Sequence, residues 1–191
     1  MKPKIVKKYL LAFDEINNIL SGEKTATEYV DLVESLMILG YREGMKATID
    51  ELDLYEDISE DLVQPNTGRL QGELYKRYDG KDFRQRVQEH ALKGEYERIT
   101  ELAKNEYHRM YETGTFDMAN MVDASGISVS KRWVTMMDDK VRDTHNYIHG
   151  DVVPLDEKFY TYDGDSAYMP GGFDLPENNI NCRCILTYSR S

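Results

Sequence analysis

The chain has 191 residues, 40% of them hydrophobic, which is enough for one globular domain or for a helical body with a small appended module. A formal net charge of -11 excludes general DNA binding, because sequence-independent affinity for DNA depends on Lys and Arg side chains that neutralise phosphates. Two cysteines exclude a disulfide scaffold, and no apolar run approaches a membrane span or a signal peptide, so we expect a soluble protein with reduced thiols, made in the cytoplasm.

Two amphipathic helices are predicted at the start of the chain. In the first, apolar residues recur at spacings of three and four, at Ile5, Tyr9, Phe13, Ile16 and Leu20. This helix is predicted to end at Gly22. Thr25 and Glu28 form a capping-box pattern that begins the second helix, which we expect to be the longest and most buried. Gly40 and Gly44 within it indicate either the close approach of a neighbouring helix or a weak point.

Three further helices follow a connection. The acidic stretch from Leu52 to Pro65 is interpreted as that connection, because it ends in turn-forming residues. Short helices are predicted around Leu70–Tyr78 and Phe83–Leu92. A third runs from Tyr96 to Tyr111 at clear helical spacing, and Gly114 is predicted to stop it.

The pattern changes at Ile127, where β-branched and aromatic residues alternate with polar ones and Gly and Pro become frequent. The predicted elements are a strand at 127–134, a short helix at 138–149, extended segments at 152–155 and 159–162, and a final strand at 184–188. The predicted fold class is therefore α+β. We divide the chain into a mainly helical body, residues 1–125, and a small α+β domain with a short antiparallel sheet, residues 126–191.

Cys182 and Cys184 are both cysteines of the chain, and with His145 they offer three ligands of a zinc site. In an extended segment, residues two apart point to the same side, so both sulfurs can face one ion. The candidates for a fourth ligand are Asp138, Asp139 and His149. The alternative is a buried, metal-free cysteine pair beside a hydrogen-bonded histidine.

Two enzymatic interpretations of these residues rank low. His145 and His149 have the spacing of the metalloprotease helix motif, but Asn146 stands where that motif requires the general-base glutamate. A nucleophile formed by Cys182 or Cys184 with His145 lacks a recognisable orienting residue and oxyanion loop. We therefore predict no catalytic residue and no enzymatic activity.

Taken in order, the tail resembles the phage Mu F-like family, the phage minor head or head morphogenesis proteins. The pattern is a Trp, two Asp, an Arg and a His, then a Gly, and finally Asn-Cys-Arg-Cys. The residues that carry it are Lys131, Trp133, Asp138, Asp139, Arg142, His145, Gly150, Val153, Phe159, Pro170, Asn181, Cys182, Arg183 and Cys184. The resemblance covers about the last third of the chain.

The resemblance implies a virion protein of a tailed phage, present in few copies in the head near the portal vertex and made in the bacterial host cytoplasm. It implies the portal protein and capsid proteins as partners, in capsid assembly or in DNA packaging or ejection. DNA contact is not supported by the net charge. The resemblance also implies that Asp139, Arg142, His145, Cys182 and Cys184 are signature positions. Zinc at His145, Cys182 and Cys184 is our own inference from the residues.

Two departures from the family pattern bear on these expectations. His149 stands where an acidic residue commonly precedes the glycine, and the helical part is short compared with many members. The alternative functions are a Mu F-like delivery module of a phage-encoded toxin system and a stand-alone metal-dependent or cysteine enzyme. Because only seven residues follow Cys184, we expect no separate effector and favour the assembly role.

Overall fold

The computed structural model describes residues 4–54 and 67–190, and its side chains from residue 11 onward. Most of the predicted connection between Leu52 and Pro65 lies outside the described residues. The helices are α1 Lys4–Ile19, α2 Ala26–Leu52, α3 Thr67–Leu74, α4 Phe83–Leu92, α5 Tyr96–Ala124, α6 Asp143–Tyr147 and α7 Pro176–Asn179. The strands are β1 Val129–Val134, β2 Val152–Pro154, β3 Phe159–Tyr160, β4 Ser166–Ala167 and β5 Ile185–Arg190. This order confirms the predicted α+β class.

The described residues form two compact units. The first comprises residues 4–41 and 67–110, and the second comprises 42–54 and 111–190, so that α2 and α5 each contribute to both. The change from helix to strand falls between Ala124 and Val129, near the predicted boundary. The division at residues 125 and 126 stays a prediction, because the compact units follow contacts rather than the order of elements.

In the first unit, helix starts and helix contacts follow the sequence pattern. The capping box at Thr25 is present: its backbone N–H donates to Glu28 at 2.7 Å, and Glu28 N–H donates to the Thr25 hydroxyl at 3.2 Å. A Cβ at Gly40 would lie 2.7 Å from the carbonyl oxygen of Tyr107. Of the two interpretations of this glycine, the close helix approach is therefore the one observed.

Helix α5 corrects two predictions. It continues through Gly114 to Ala124, and with 29 residues against 27 it is longer than α2. Four residues beyond the predicted stop are buried: Thr115, Met118, Ala119 and Val122. Burial of this face offsets the roughly 1 kcal/mol that glycine costs inside a helix, so local propensity is overridden by packing.

The second unit contains a three-stranded antiparallel sheet in the order β2-β1-β5. Trp133 on β1 pairs with Leu186 on β5. The other edge of β5 is closed by side chains, since the Leu186 N–H donates to Glu112 at 3.1 Å and the Tyr188 N–H donates to Glu51 at 2.9 Å. Strands β3 and β4 form a separate hairpin. These two glutamates thus accept hydrogen bonds from backbone N–H groups that would otherwise be unpaired at the edge of the sheet.

The segment between β1 and β2 is less helical than predicted. Of the expected helix at residues 138–149, only α6, Asp143–Tyr147, is formed. Arg142 occupies its N-cap in an extended conformation with no side-chain cap. The residues before α6 form turns instead. Here Asp138 accepts a hydrogen bond from Arg183, and Arg142 donates to the Ile180 carbonyl, so both side chains bind the segment around Cys182.

Candidate metal centre

The structure brings His145, Cys182 and Cys184 together in the second unit. The Nδ1 atom of His145 lies 3.3 Å from Sγ of Cys184 and 3.6 Å from Sγ of Cys182. All three donor atoms lie within 4.8 Å of one another, and all three residues are buried. Among the described residues this is the group of His, Cys, Asp and Glu side chains with the spacing of a metal site.

These separations fit a tetrahedral zinc ion. Bonds of about 2.3 Å to sulfur and 2.0 Å to nitrogen give a nitrogen-to-sulfur edge of about 3.5 Å. The two observed distances, 3.3 and 3.6 Å, lie on either side of that value. The same distances suit S–H···N hydrogen bonds of a metal-free pair, so the distances alone fit both interpretations.

The local backbone directs both thiols to one side. Asn181 has φ of 56°, a left-handed conformation that Asn tolerates better than most residues. The Cys182 N–H then donates to Asn179 at 3.1 Å, and the chain extends into β5. Because Cys182 and Cys184 are two apart in this extended segment, they share a face.

Aromatic rings fix the histidine. The ring of Trp133 meets that of His145 edge-on at 5.6 Å, and Phe173 stacks on it at 5.3 Å. Trp133 is fully buried and also packs against Phe159 at 5.2 Å. Packing against these rings and the contacts of Nδ1 with the two sulfurs orient the imidazole, while its buried Nε2 has no hydrogen-bond partner among the described atoms.

Burial favours the protonated form of the Cys184 thiol. The contact with Cys182 and burial hold the pKa of the Cys184 thiol well above its ordinary value, although the nearby Trp133 indole opposes this. Zinc binds thiolates, so metal binding would have to displace the thiol protons. The two sulfurs and the Nδ1 atom of the buried imidazole are donors that zinc favours, so this group fits zinc chemically.

The predicted fourth ligands do not join the group. The Thr135 N–H donates to Nδ1 of His149 at 3.1 Å, so that ring nitrogen is occupied elsewhere. The Asp138 carboxylate accepts hydrogen bonds from the two terminal guanidinium nitrogens of Arg183, at 2.7 and 3.0 Å. Asp139 is exposed on the following turn and lies outside the group. Within the described chain, the ligand set is therefore His145 and the two cysteines.

The other signature residues hold this segment in place. The Asp138–Arg183 ion pair joins the turn after β1 to the chain between the cysteines, and Arg142 donates to the Ile180 carbonyl. The Gly150 N–H donates to the Trp133 carbonyl at 2.8 Å from a backbone with φ of 88°, which favours glycine. These contacts join the two ends of the tail.

Lys131 is fully buried, and its ammonium group is hydrogen-bonded to backbone carbonyls. Its ammonium donates to the carbonyls of Leu155 at 2.8 Å and Tyr168 at 3.0 Å, and it lies 5.0 Å from the ring of Phe116. Burial lowers its pKa from 10.5 to about 8, with Asp156 and Glu157 opposing the shift. The lysine thus connects two loops from the interior.

The sequence did not single out Asp165, whose role appears only in the structure. Its carboxylate accepts hydrogen bonds from the backbone of Ser166, Asp174 and Leu175 and from Asn178 Nδ2. Burial alone would raise the pKa of Asp165, but these hydrogen bonds outweigh it and lower the pKa. Its residue type gave no signal, because a single Asp in a Gly-containing turn is usually exposed.

A pocket opens beside the three donors. They line it together with Met136, Lys140, Val141, Arg142, Asn181 and Arg183. The pocket gives the donor atoms a route to solvent, which a metal ion needs in order to enter.

The family model described as phage Mu protein F like protein matches residues 56–187, more than half of the chain. The chain belongs to the phage Mu protein F like family. This confirms the resemblance inferred from the tail, and it extends the family's match into the helices before it. All the Mu F-like signature residues from Lys131 to Cys184 lie within the match.

Two curated proteins are similar to parts of this Mu F-like chain. Minor head protein GP7 of Bacillus phage SPP1 is 29% identical over 86 residues, which is 45% of this chain and 28% of that protein. The NAD(+)–arginine ADP-ribosyltransferase EFV of Enterococcus faecalis is 32% identical over 89 residues, 47% of this chain and 18% of that protein. The chain thus spans less than a third of the length of these relatives. No solved structure matches it significantly.

None of the described helices combines the length and the apolar character needed to cross a membrane.

Proposed function

We propose that this Mu F-like chain is a minor head protein, a structural component that acts in phage head morphogenesis. The family match over residues 56–187 is the observation that carries the proposal, and the similarity to minor head protein GP7 supports it. The portal protein and capsid proteins are the proposed partners, and the phage head near the portal vertex is the proposed location. The protein would be made in the bacterial host cytoplasm.

We also infer that His145, Cys182 and Cys184 hold a structural zinc ion. Their separations and their burial among Trp133 and Phe173 support this inference. When bound, zinc supplies a rigid junction between two segments far apart in sequence. The residues of this chain orient the junction, through the stacked rings around the imidazole and the left-handed backbone at Asn181.

The role we propose is not enzymatic. The signature side chains of Asp138, Arg142, Lys131 and Arg183 are engaged in contacts within the fold, which supports a structural use of the tail. The similarity to EFV favours one alternative, a delivery module of a toxin system, because the matched part is 18% of that longer protein. Such a module would share the fold without sharing the enzymatic activity.

The function is tested by analysing purified phage heads. We expect the protein in heads from cells that carry it, and fewer infectious particles when its gene is deleted. Complementation with the wild-type gene should restore the yield. Heads that contain none of the protein, with an unchanged yield after deletion, would contradict the assembly role.

A further inference from the structure

We propose that the pocket beside His145, Cys182 and Cys184 is a docking site in which a carboxylate side chain of a partner protein becomes the fourth zinc ligand. The inference rests on the proposed zinc ion. Structural zinc sites take four protein ligands, and the described chain brings three donors together. All three line the pocket, so a fourth ligand reaches them from that side.

The charge of the pocket lining selects an anion. Lys140, Arg142 and Arg183 line the pocket, and no carboxylate does. The ion pair with Asp138 balances Arg183, whereas Lys140 and Arg142 form no ion pair with a described residue. Zinc with two thiolates and a neutral imidazole carries no net charge. Two cations beside a neutral centre attract one anionic group.

A carboxylate fits this site better than a phosphate of DNA. The chain has a net charge of -11, and Asp138, Asp139 and Asp143 lie on the segment that borders the pocket. A polyanion would meet repulsion from these charges along its length, whereas a single carboxylate presents one charge beside the cations that line the pocket.

The rim of the pocket has the character of a protein interface. Met137 is 74% exposed and Ile180 is 59% exposed, and each adjoins a residue that lines the pocket. Met137 also has φ of 54°, a left-handed conformation that is uncommon for a residue other than glycine, and its backbone presents the side chain to solvent. Exposed apolar side chains around a small polar centre are typical of protein contacts.

The first test measures ligand binding to the full chain loaded with Co²⁺ in place of zinc. Visible absorption of Co²⁺ reports its ligands, and acetate serves as the carboxylate probe. We expect a saturable spectral change with acetate, weakened about fivefold in Lys140→Met because one nearby charge is lost. Lys158→Met removes a charge from the same unit outside the pocket lining and should respond as wild type.

Four results would overturn the docking proposal. They are no spectral response to acetate, equal responses in Lys140→Met and Lys158→Met, a stronger response to dimethyl phosphate than to acetate, and no Co²⁺ uptake. Only the last would also contradict the zinc site, because the others require a loaded centre.

The second test measures incorporation into phage heads. Lys140→Glu should lower the amount of protein in purified heads at least fivefold while its zinc content is retained, and Lys158→Glu should not. If wild type enters heads and Lys140→Glu enters equally, the docking proposal fails and the head function stands. If wild type does not enter heads, the proposed function fails instead.

Discussion

The two compact units reach a stable interior by different means. In the first unit, helices bury regular apolar stripes, exemplified by Val33, Leu36 and Met37 on α2. In the second, short strands and turns are held by buried polar groups, among them Lys131, His145 and Asp165. An apolar stripe repeats and can be recognised from spacing, whereas each polar group acts alone at one point of the chain. The first unit should therefore tolerate small changes better than the second.

The largest loss of stability is expected at Asp165, a buried polar residue of the second unit. Asp165→Ala removes the acceptor of four hydrogen bonds and leaves their donors unsatisfied. We expect the free energy of unfolding to fall by about 4 kcal/mol, measured by urea denaturation. Asp174→Ala, at an exposed position of the same loop, is the matched control and should cost much less. Equal effects would show that the buried carboxylate does not organise the loop.

A core truncation in the first unit comes next. Leu36→Ala removes a side chain that is 4% exposed, and the free energy of unfolding should fall by about 3 kcal/mol. Since Leu36 belongs to the first unit, zinc content per chain, measured by elemental analysis, should stay unchanged. Loss of zinc in this variant would contradict the separate stabilisation of the two units. Leu39→Ala, at an exposed position of the same helix, is the control.

The edge of β5 should make stability depend on pH. Burial raises the pKa of Glu51 from 4.5 to about 7, while the hydrogen bond from Tyr188 opposes the shift. The folded state therefore holds this proton more tightly than the unfolded state. The resulting stabilisation is complete below pH 4.5 and is lost as pH rises through 7.

Glu51→Gln keeps an acceptor for the Tyr188 N–H and cannot ionise. Between pH 4.5 and 7 the free energy of unfolding should fall less steeply in this variant than in wild type. The difference between the two falls should be at most about 3 kcal/mol. Denaturation across this range checks the expectation. Glu43→Gln, at an exposed position of α2, should retain the wild-type slope, and an unchanged slope in Glu51→Gln would contradict the shift.

The smallest effect concerns a feature that the sequence shows directly. Thr25→Ala removes the hydroxyl that accepts from the Glu28 N–H, and the free energy of unfolding should fall by about 1 kcal/mol. Thr25→Ser preserves the acceptor and should restore most of the loss. A loss in the serine variant as large as in alanine would show that the hydroxyl is not the stabilising group.

The sequence predicted the helices of the first unit better than the polar contacts of the second. Periodicity located the helices of the first unit, and the capping-box pattern located the start of α2 at Thr25. At Gly40 the sequence allowed a close approach or a weak point, and the structure shows the close approach. Periodicity misplaced the end of α5 at Gly114, because propensity was read without the packing that carries the helix onward.

Chemistry located His145 and the two cysteines as candidates, and the structure brings them together. Their surroundings were not predictable. That His149 is held by Thr135, and that Asp138 is paired with Arg183, depends on contacts between distant segments. Residue spacing carries no information about such contacts.

The zinc content of the purified full chain tests the central claim most directly. Elemental analysis should find one zinc ion per wild-type chain and almost none in Cys184→Ser, with Cys182→Ser giving the same result. Wild-type protein purified without chelators that holds no zinc, and takes up none when zinc is supplied, would contradict the metal centre.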